Sequence, residues 1–443
     1  MINYLSMQKK TIMPQSKEFL VGFASSMFQT SANNCGDSNW SMAIRNGTIP
    51  DATPLISHWE NFDTDLDLMK STGINSYRFS IEWSHVEPTQ GVFNRLVIDR
   101  YQTMVEACLQ RNITPMITLY HFTEPAWFTA LGGFENEENI VHFTEYCTRI
   151  FPFFSSRVKL WCTINEPAVQ AFMSYFLGQF PPHQHNLHKT IMTLKHLLQA
   201  HIAVYYALKA LPQGDSAEIG IVHNVLRFKP LYPLDPVACC ICPGITSITD
   251  DLVIQFFKTG LFDYSITLGA KIHYSDKSAV QANDFIGLNF YANPVVGPNM
   301  TNVYGATHRA GQEMGDMFLS LDPDGFADAL DEVAGLNKPI YITETGIADH
   351  TDVLRQKFLT QYFDVIKHKV SGGVDIRGCY LWTAWDNFEW NQGYSKNFGF
   401  FSTDRKPRPS AEMLGVCFKD MLDHCNLLEN KTTASYDSHG QKP

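Results

Sequence analysis

The stretch Thr114-Pro115-Met116-Ile117-Thr118-Leu119-Tyr120-His121-Phe122 (residues 114–122) is apolar at successive positions and turns polar only toward its end. A strand with one wet face alternates apolar and polar residues. An uninterrupted run such as Met116 to Leu119 fits a parallel strand with helices outside it and packed side chains inside. Ile340-Tyr341-Ile342 repeats the signature further on.

Seven comparable runs accompany this one: Phe19 to Ser25, Ser76 to Trp83, Leu160 to Pro167, Glu218 to Leu226, Asp284 to Tyr291, Pro339 to Gly346 and Gly378 to Phe388. Between most of them lie segments such as Asn61 to Ser71 and Val97 to Arg111, with apolar residues at three- and four-residue steps. Strand followed by helix eight times predicts an α/β chain folded as a single (β/α)8 TIM barrel. Length alone would suggest about three domains, but barrels exceed that rule. No Pro/Ser/Gly-rich break divides the chain, so residues 18–429 are read as one domain, with mobile segments at 1–17 and 430–443.

Of the 443 residues, 44% are hydrophobic and 18% charged, enough to build a sizeable core. The formal charge of -11 and the lack of a basic run argue against nucleic acid as a partner. Residues 1–20 hold Lys9, Lys10 and Lys17 without an apolar signal core, and no later run of about 20 apolar residues is expected. The reading is a cytoplasmic protein with no membrane partner. Ten cysteines at irregular spacing resemble reduced core thiols more than a disulfide framework. Cys239, Cys240 and Cys242 lack a CxxC pair and are expected in a loop without metal. The run His183, His185 and His188 is expected in a solvated loop.

In a barrel of this kind the site lies where the strands end. The endings collect Gln29, Arg78, Glu82, His121, Glu124, Asn165, Glu166, Asn289, Tyr291, Glu344, Trp382, Glu389 and Trp390. Carboxylates and amides pair with sugar hydroxyls, and indole faces cover the C–H face of a pyranose ring. Cleavage of a glycosidic bond needs one carboxylic acid to protonate the leaving oxygen and one carboxylate to attack the anomeric carbon or activate water. Glu166 and Glu344 end the fourth and seventh runs. The plainer reading makes the acids strand-end ion pairs or helix caps, and the amides and aromatics structural.

The segments Thr163-Ile164-Asn165-Glu166-Pro167, Ile342-Thr343-Glu344-Thr345-Gly346 and Asp386-Asn387-Phe388-Glu389-Trp390 resemble those of family 1 glycoside hydrolases, a family of β-glucosidases and β-galactosidases. The resemblance runs from about Phe19 to Pro409. It implies Glu166 as acid/base and Glu344 as nucleophile of a retaining, exo-acting β-glycosidase without metal or organic cofactor, acting on a small-molecule β-glycoside. It further implies that Gln29, His121 and Glu389 hold sugar hydroxyls, Asn165 the 2-hydroxyl, and that Trp382 and Trp390 contact the ring. Arg78 and Tyr291 are expected to hydrogen-bond Glu344, Tyr291 facing the substrate as well, and Asn289 is read with Arg78 as nucleophile support. An acidic Glu389 would repel a 6-phosphorylated sugar. Phe122, Thr345, Ser31 and Leu319 depart from the family pattern, which leaves open a barrel that binds a sugar without turnover. Transglycosylation is a further alternative.

Overall fold

The computed structural model describes residues 18–53, 55–265, 271–297, 306–307, 311–317 and 319–437. Eight parallel strands close into a ring: β1 (Leu20–Ser25), β2 (Ser76–Ser80), β3 (Thr114–Tyr120), β4 (Leu160–Asn165), β5 (Glu218–Asn224), β6 (Phe285–Phe290), β7 (Ile340–Thr345) and β8 (Ile376–Trp382). Each pairs with its neighbours in sequence, and β1 closes on β8 with Leu20 beside Gly378 and Ala24 beside Trp382. The (β/α)8 barrel is thus the fold.

Eight helices follow the strands in turn: α1 (His58–Ser71), α2 (Arg95–Gln110), α3 (Ile140–Phe154), α4 (Leu187–Lys209), α5 (Leu252–Thr259), α6 (Pro323–Ala334), α7 (Val353–Ser371) and α8 (Pro409–Asp437). Alternate strand residues divide two apolar layers. Ile117, Leu119, Ile219, Ile221, Ile340 and Ile342 join the layer that packs on the helices, whereas Met116, Cys162, Val222, Phe285 and Tyr380 form a separate inner cluster. Both faces are therefore dry, the reason β3 reads as a continuous apolar run.

The strands stop two to six residues before most of the sequence-predicted ends, because the chain leaves the ladder where polar residues turn into the barrel mouth. The expected segment 1–17 lies outside the described residues. α8 carries on through position 430, where a tail was expected to begin, to Asp437; 438–443 lie outside the described residues.

Three expectations need correction. His188 stands in the first turn of α4 and His183 is half-buried, so the histidine run is not a solvated loop. Cys239, Cys240 and Cys242 stand on a helix (Pro236–Thr246), not a loop: Asp235 caps it by accepting from Val237 and Ala238 N–H, and Pro236 occupies its first turn. The helical stretch Pro236–Thr259 is also apolar and long enough, by length and composition, to cross a membrane. The sequence reading overlooked it; Ala238, Cys242, Ile248, Leu252, Val253, Phe256 and Phe257 are buried in the barrel's outer layer, while Val237, Cys239 and Cys240 are exposed.

Candidate active site

Asn165 is the last residue of β4, and Glu166 follows it in the left-handed region (φ 47°, ψ 61°) before Pro167 opens a short helix, Pro167–Ala171. A β-carbon disfavours that conformation by about 1–2 kcal/mol. The local structure holds it there with a Glu166 N–H bond to the Val222 carbonyl (2.9 Å) and a helix-compatible proline next in line. Glu344 lies near the end of β7, where the pairing with β6 and β8 shifts register and re-aims side chains. Gly346 follows because a β-carbon there would sit 2.2 Å from the Trp382 carbonyl oxygen.

Arg78, fully buried on β2, organises the floor. Its Nη1 donates to Glu344 Oε1 (2.5 Å) and the Thr343 carbonyl (3.1 Å), its Nη2 to Asn165 Oδ1 (2.7 Å) and its Nε to Thr118 Oγ1 (3.0 Å). Glu82, on the same strand's continuation, accepts from Ser84 and Thr123 and takes no part in this floor. The Tyr291 hydroxyl donates to the other Glu344 oxygen, Oε2, at 2.8 Å. Both Glu344 oxygens are therefore fixed, one by Arg78 from within β2 and one by Tyr291 just past the end of β6.

Asn289 departs from its expected place. It sits beside Glu344 in the β6–β7 register, but its Nδ2 donates to Glu166 Oε1 (2.7 Å) and Asn165 Oδ1 (3.3 Å), while its Oδ1 accepts from Thr343 (2.7 Å). It supports Glu166, not Glu344. The reading of Asn289 with Arg78 as support for Glu344 is thus corrected: the amide reaches along the floor of the mouth to Glu166.

Glu166, Glu344, Asn165, His121, Tyr291, Trp382, Glu389 and Trp390 line one cavity of about 600 Å³, counted to its opening. Gln29, Arg78 and Asn289 stand behind that lining. Gln29 reaches it by donating to the Phe388 carbonyl (2.9 Å) and to Glu389 (3.4 Å). Asn165 donates to His121 Nε2 (3.3 Å), which puts the ring proton on Nδ1. That Nδ1 and Gln29 Oε1 are buried polar atoms without a protein partner, an arrangement that suits a hydroxyl-bearing ligand. His121 stacks between Trp382 (centroids 5.9 Å) and Trp390 (6.0 Å).

Burial dominates the titration of three groups in this cavity. Burial and the neighbouring Glu344 push the Glu166 carboxyl up to about 8, against the opposing hydrogen bond from Asn289. Burial, with Glu344 adding to it, also raises Glu389 to about 8. Burial and then Arg78 hold His121 well below the usual imidazole range, so it is neutral.

The sequence reading missed Val169, Met173, Phe180, Asn224, Met317, Asn391 and Phe398 in the lining. Asn224 ends β5 and was within reach of the strand-end rule; the others come from connecting segments that carry no strand signal. Of the four departures, Phe122 and Leu319 line the cavity. Ser31 is buried and accepts from Trp59 N–H (2.8 Å), and the Thr345 hydroxyl is buried without a partner. Outside the cavity, Asp250, Asp251 and Glu332 converge, but Arg227 contacts all three.

The sequence matches the family model described as Glycosyl hydrolase family 1 over residues 12–414. Beta-glucosidase 47 of Arabidopsis thaliana is 29% identical, the alignment covering 89% of this chain and 83% of that protein. A 6-phospho-beta-galactosidase of Streptococcus mutans is 27% identical, over 89% of this chain and 96% of its own length. Among solved structures, a beta-glycosidase from Pyrococcus horikoshii superposes with a TM-score of 0.78 at 30% identity, covering 90% of this chain and 93% of that one.

Proposed function

Because the chain belongs to glycosyl hydrolase family 1, we propose that it is a retaining, exo-acting β-glycosidase that removes an unphosphorylated terminal β-D-glucosyl or β-D-galactosyl residue. The observation that carries this reading is the unequal treatment of two glutamates lining one cavity. Glu344 has an oxygen on Arg78 and an oxygen on Tyr291, the setting of a charged nucleophile. Glu166 is held by the neutral amide of Asn289 and retains its proton to about pH 8, the setting of a general acid.

In the first step Glu344 attacks the anomeric carbon as Glu166 protonates the departing glycosidic oxygen. The covalent ester that forms removes the Glu344 charge, and with it one cause of the high Glu166 proton affinity. Glu166 then takes a proton from the incoming water, which breaks the ester and releases the sugar with its original configuration. His121 Nδ1–H, Gln29 Oε1 and the Glu389 carboxyl supply hydroxyl partners, and Trp382 supplies the stacking face. The cavity lining holds no Lys or Arg among the described residues to pair with a phosphate, which favours a neutral hydroxymethyl group beside Glu389. The relative in Arabidopsis thaliana is named a β-glucosidase, which supports glucose as the first sugar to test. Met173, Met317, Leu319 and Phe398 give the remaining lining an apolar character suited to an apolar leaving group. Cys35, Cys108, Cys147, Cys162 and Cys379 are buried thiols outside any disulfide among the described residues, a usage that supports a reducing, cytoplasmic setting.

The test is exposure of wild type and Glu344→Gln to a 2-fluoro glucoside with an activated leaving group, read by intact and peptide mass. A single fluoroglucosyl adduct on the Glu344 peptide of the wild type, absent from the variant, is the expected result. A folded wild type that neither turns over aryl β-glycosides nor takes the label would overturn the reading in favour of a sugar-binding barrel.

A further inference from the structure

A second cavity, about 1070 Å³ counted to its mouth, lies beside the first and shares none of its lining residues. It opens between the helix Asn39–Arg45, the segment after β3 and the helical turns 167–176 after β4. Gln170 lines it, while Val169 and Met173 of the same turns line the catalytic cavity, so one short helical wall divides the two. The walls are partly apolar, with Met42, Phe134 and Tyr175.

Beside donors such as the Tyr175 and Thr193 hydroxyls, its lining holds three groups with acceptor capacity that the protein leaves open. Glu124 is buried (8% exposed), makes no ion pair among the described residues, and has one hydrogen bond, to Oε1 from the Thr129 hydroxyl (2.9 Å). Gln170 is 95% buried, and its Oε1 has no partner. His183 Nδ1 faces the Gly178 carbonyl (3.1 Å), which can only accept, so the ring proton is on Nδ1 and the partnerless Nε2 is an acceptor. Glu135, the other carboxylate in the lining, is already paired with Lys189 (2.6 Å) and Gln184 (2.7 Å). An ammonium group brings three N–H donors and no acceptor, which matches one unpaired carboxylate and two open acceptors. The chain's net charge of -11 favours the approach of cations.

We propose that this side pocket is a binding site for a small organic cation carrying a primary ammonium group, held by Glu124, Gln170 Oε1 and His183 Nε2, with its carbon body against Phe134 and Tyr175. The hydrolytic site does not require it, and nothing in its recognition depends on the glycosidase reading.

The probe is 2-phenylethylamine, titrated calorimetrically into the full chain beside its neutral counterpart 2-phenylethanol. The expected result is saturable amine binding, with the alcohol weaker by ~10-fold or more, as fits loss of a charge-assisted bond. Glu124→Gln should weaken the amine by a similar factor. Gln170→Glu, which adds an acceptor charge, should tighten it several-fold, a gain that misfolding cannot imitate. Glu344→Gln should leave the affinity unchanged. Absence of saturable binding, equal affinity for amine and alcohol, no gain in Gln170→Glu, or dependence on Glu344 in place of Glu124 would each overturn the proposal.

Discussion

Arg78 and Glu344 meet at 2.5 Å with 1% and 5% of their side chains exposed, joining β2 to β7 across the inside of the barrel. Taking a guanidinium and its partner out of water is offset only by good contacts, and Arg78 has them in Glu344, Asn165, Thr118 and the Thr343 carbonyl. Arg78→Met strands the Glu344 carboxylate and is expected to cost about 3–5 kcal/mol of stability. The Arg78→Met/Glu344→Gln double variant should lose clearly less than the sum of the single changes. Urea unfolding of the four proteins measures the coupling.

Glu166 and Glu344 should separate by leaving group. Glu344→Gln is expected to depress turnover of every β-glucoside by ~10⁴-fold or more. Glu166→Gln should cost ~10²–10⁴-fold on alkyl glucosides but far less on a dinitrophenyl glucoside, whose departing oxygen needs no proton. In the wild type, kcat/KM should fall as pH rises through about 8, where Glu166 loses its proton, and the dinitrophenyl substrate should lack that limb. Stopped-flow rates on both substrates across pH decide it.

Glu389 is a stability liability at alkaline pH. Its folded-state proton affinity is raised from 4.5 to about 8, so the folded state holds the proton more tightly than the unfolded chain does. The associated stability is complete below pH 4.5 and is lost as pH climbs through about 8. Glu389→Gln should therefore become progressively more stable than wild type across that window, by ~1.4 kcal/mol per pH unit at most, and the difference should level off above it. Thermal melts at pH 4.5, 6.5 and 8.5 test the trend.

Gln29 should trade function against stability. Its Oε1 is buried without a protein partner, and its Nε2 makes the bond to the Phe388 carbonyl. Gln29→Leu removes one unsatisfied acceptor and strands one carbonyl, so stability should move by no more than about 1–2 kcal/mol. Loss of a sugar hydroxyl partner should lower kcat/KM for aryl β-glucosides by roughly 10-fold or more. Unfolding curves and Michaelis kinetics on one preparation give both numbers.

The barrel was legible because each strand carries its own record of two dry faces: Met116 to Leu119 looks the same whatever lies beside it. Glu166 and Glu344 were legible because their backbone surroundings are demanding. A left-handed Glu before a helix-opening proline, and a glycine pressed against the Trp382 carbonyl, leave local marks in the sequence. The partner of Asn289 left no mark, since an amide at a strand end can turn to either neighbour or reach past both. Met173, Phe180 and Met317 came from connecting segments, where apolar residues at the mouth look like any others. Glu124 was visible as an acid near a strand end, but its pocket is made by three segments that meet only in the fold.

The seam between β1 and β8 bears on how the chain comes off the ribosome. Leu20 waits for Gly378, and Ala24 for Trp382, before the ring can shut. Until then the nascent protein presents two unpaired strand edges, one near its start and one at its growing end, which invite pairing with other chains. A message that stops just after Gly346 would still encode both Glu166 and Glu344, yet its product would lack the last stave of the barrel. Such a fragment is expected to be a client for chaperones and proteases and to have no turnover.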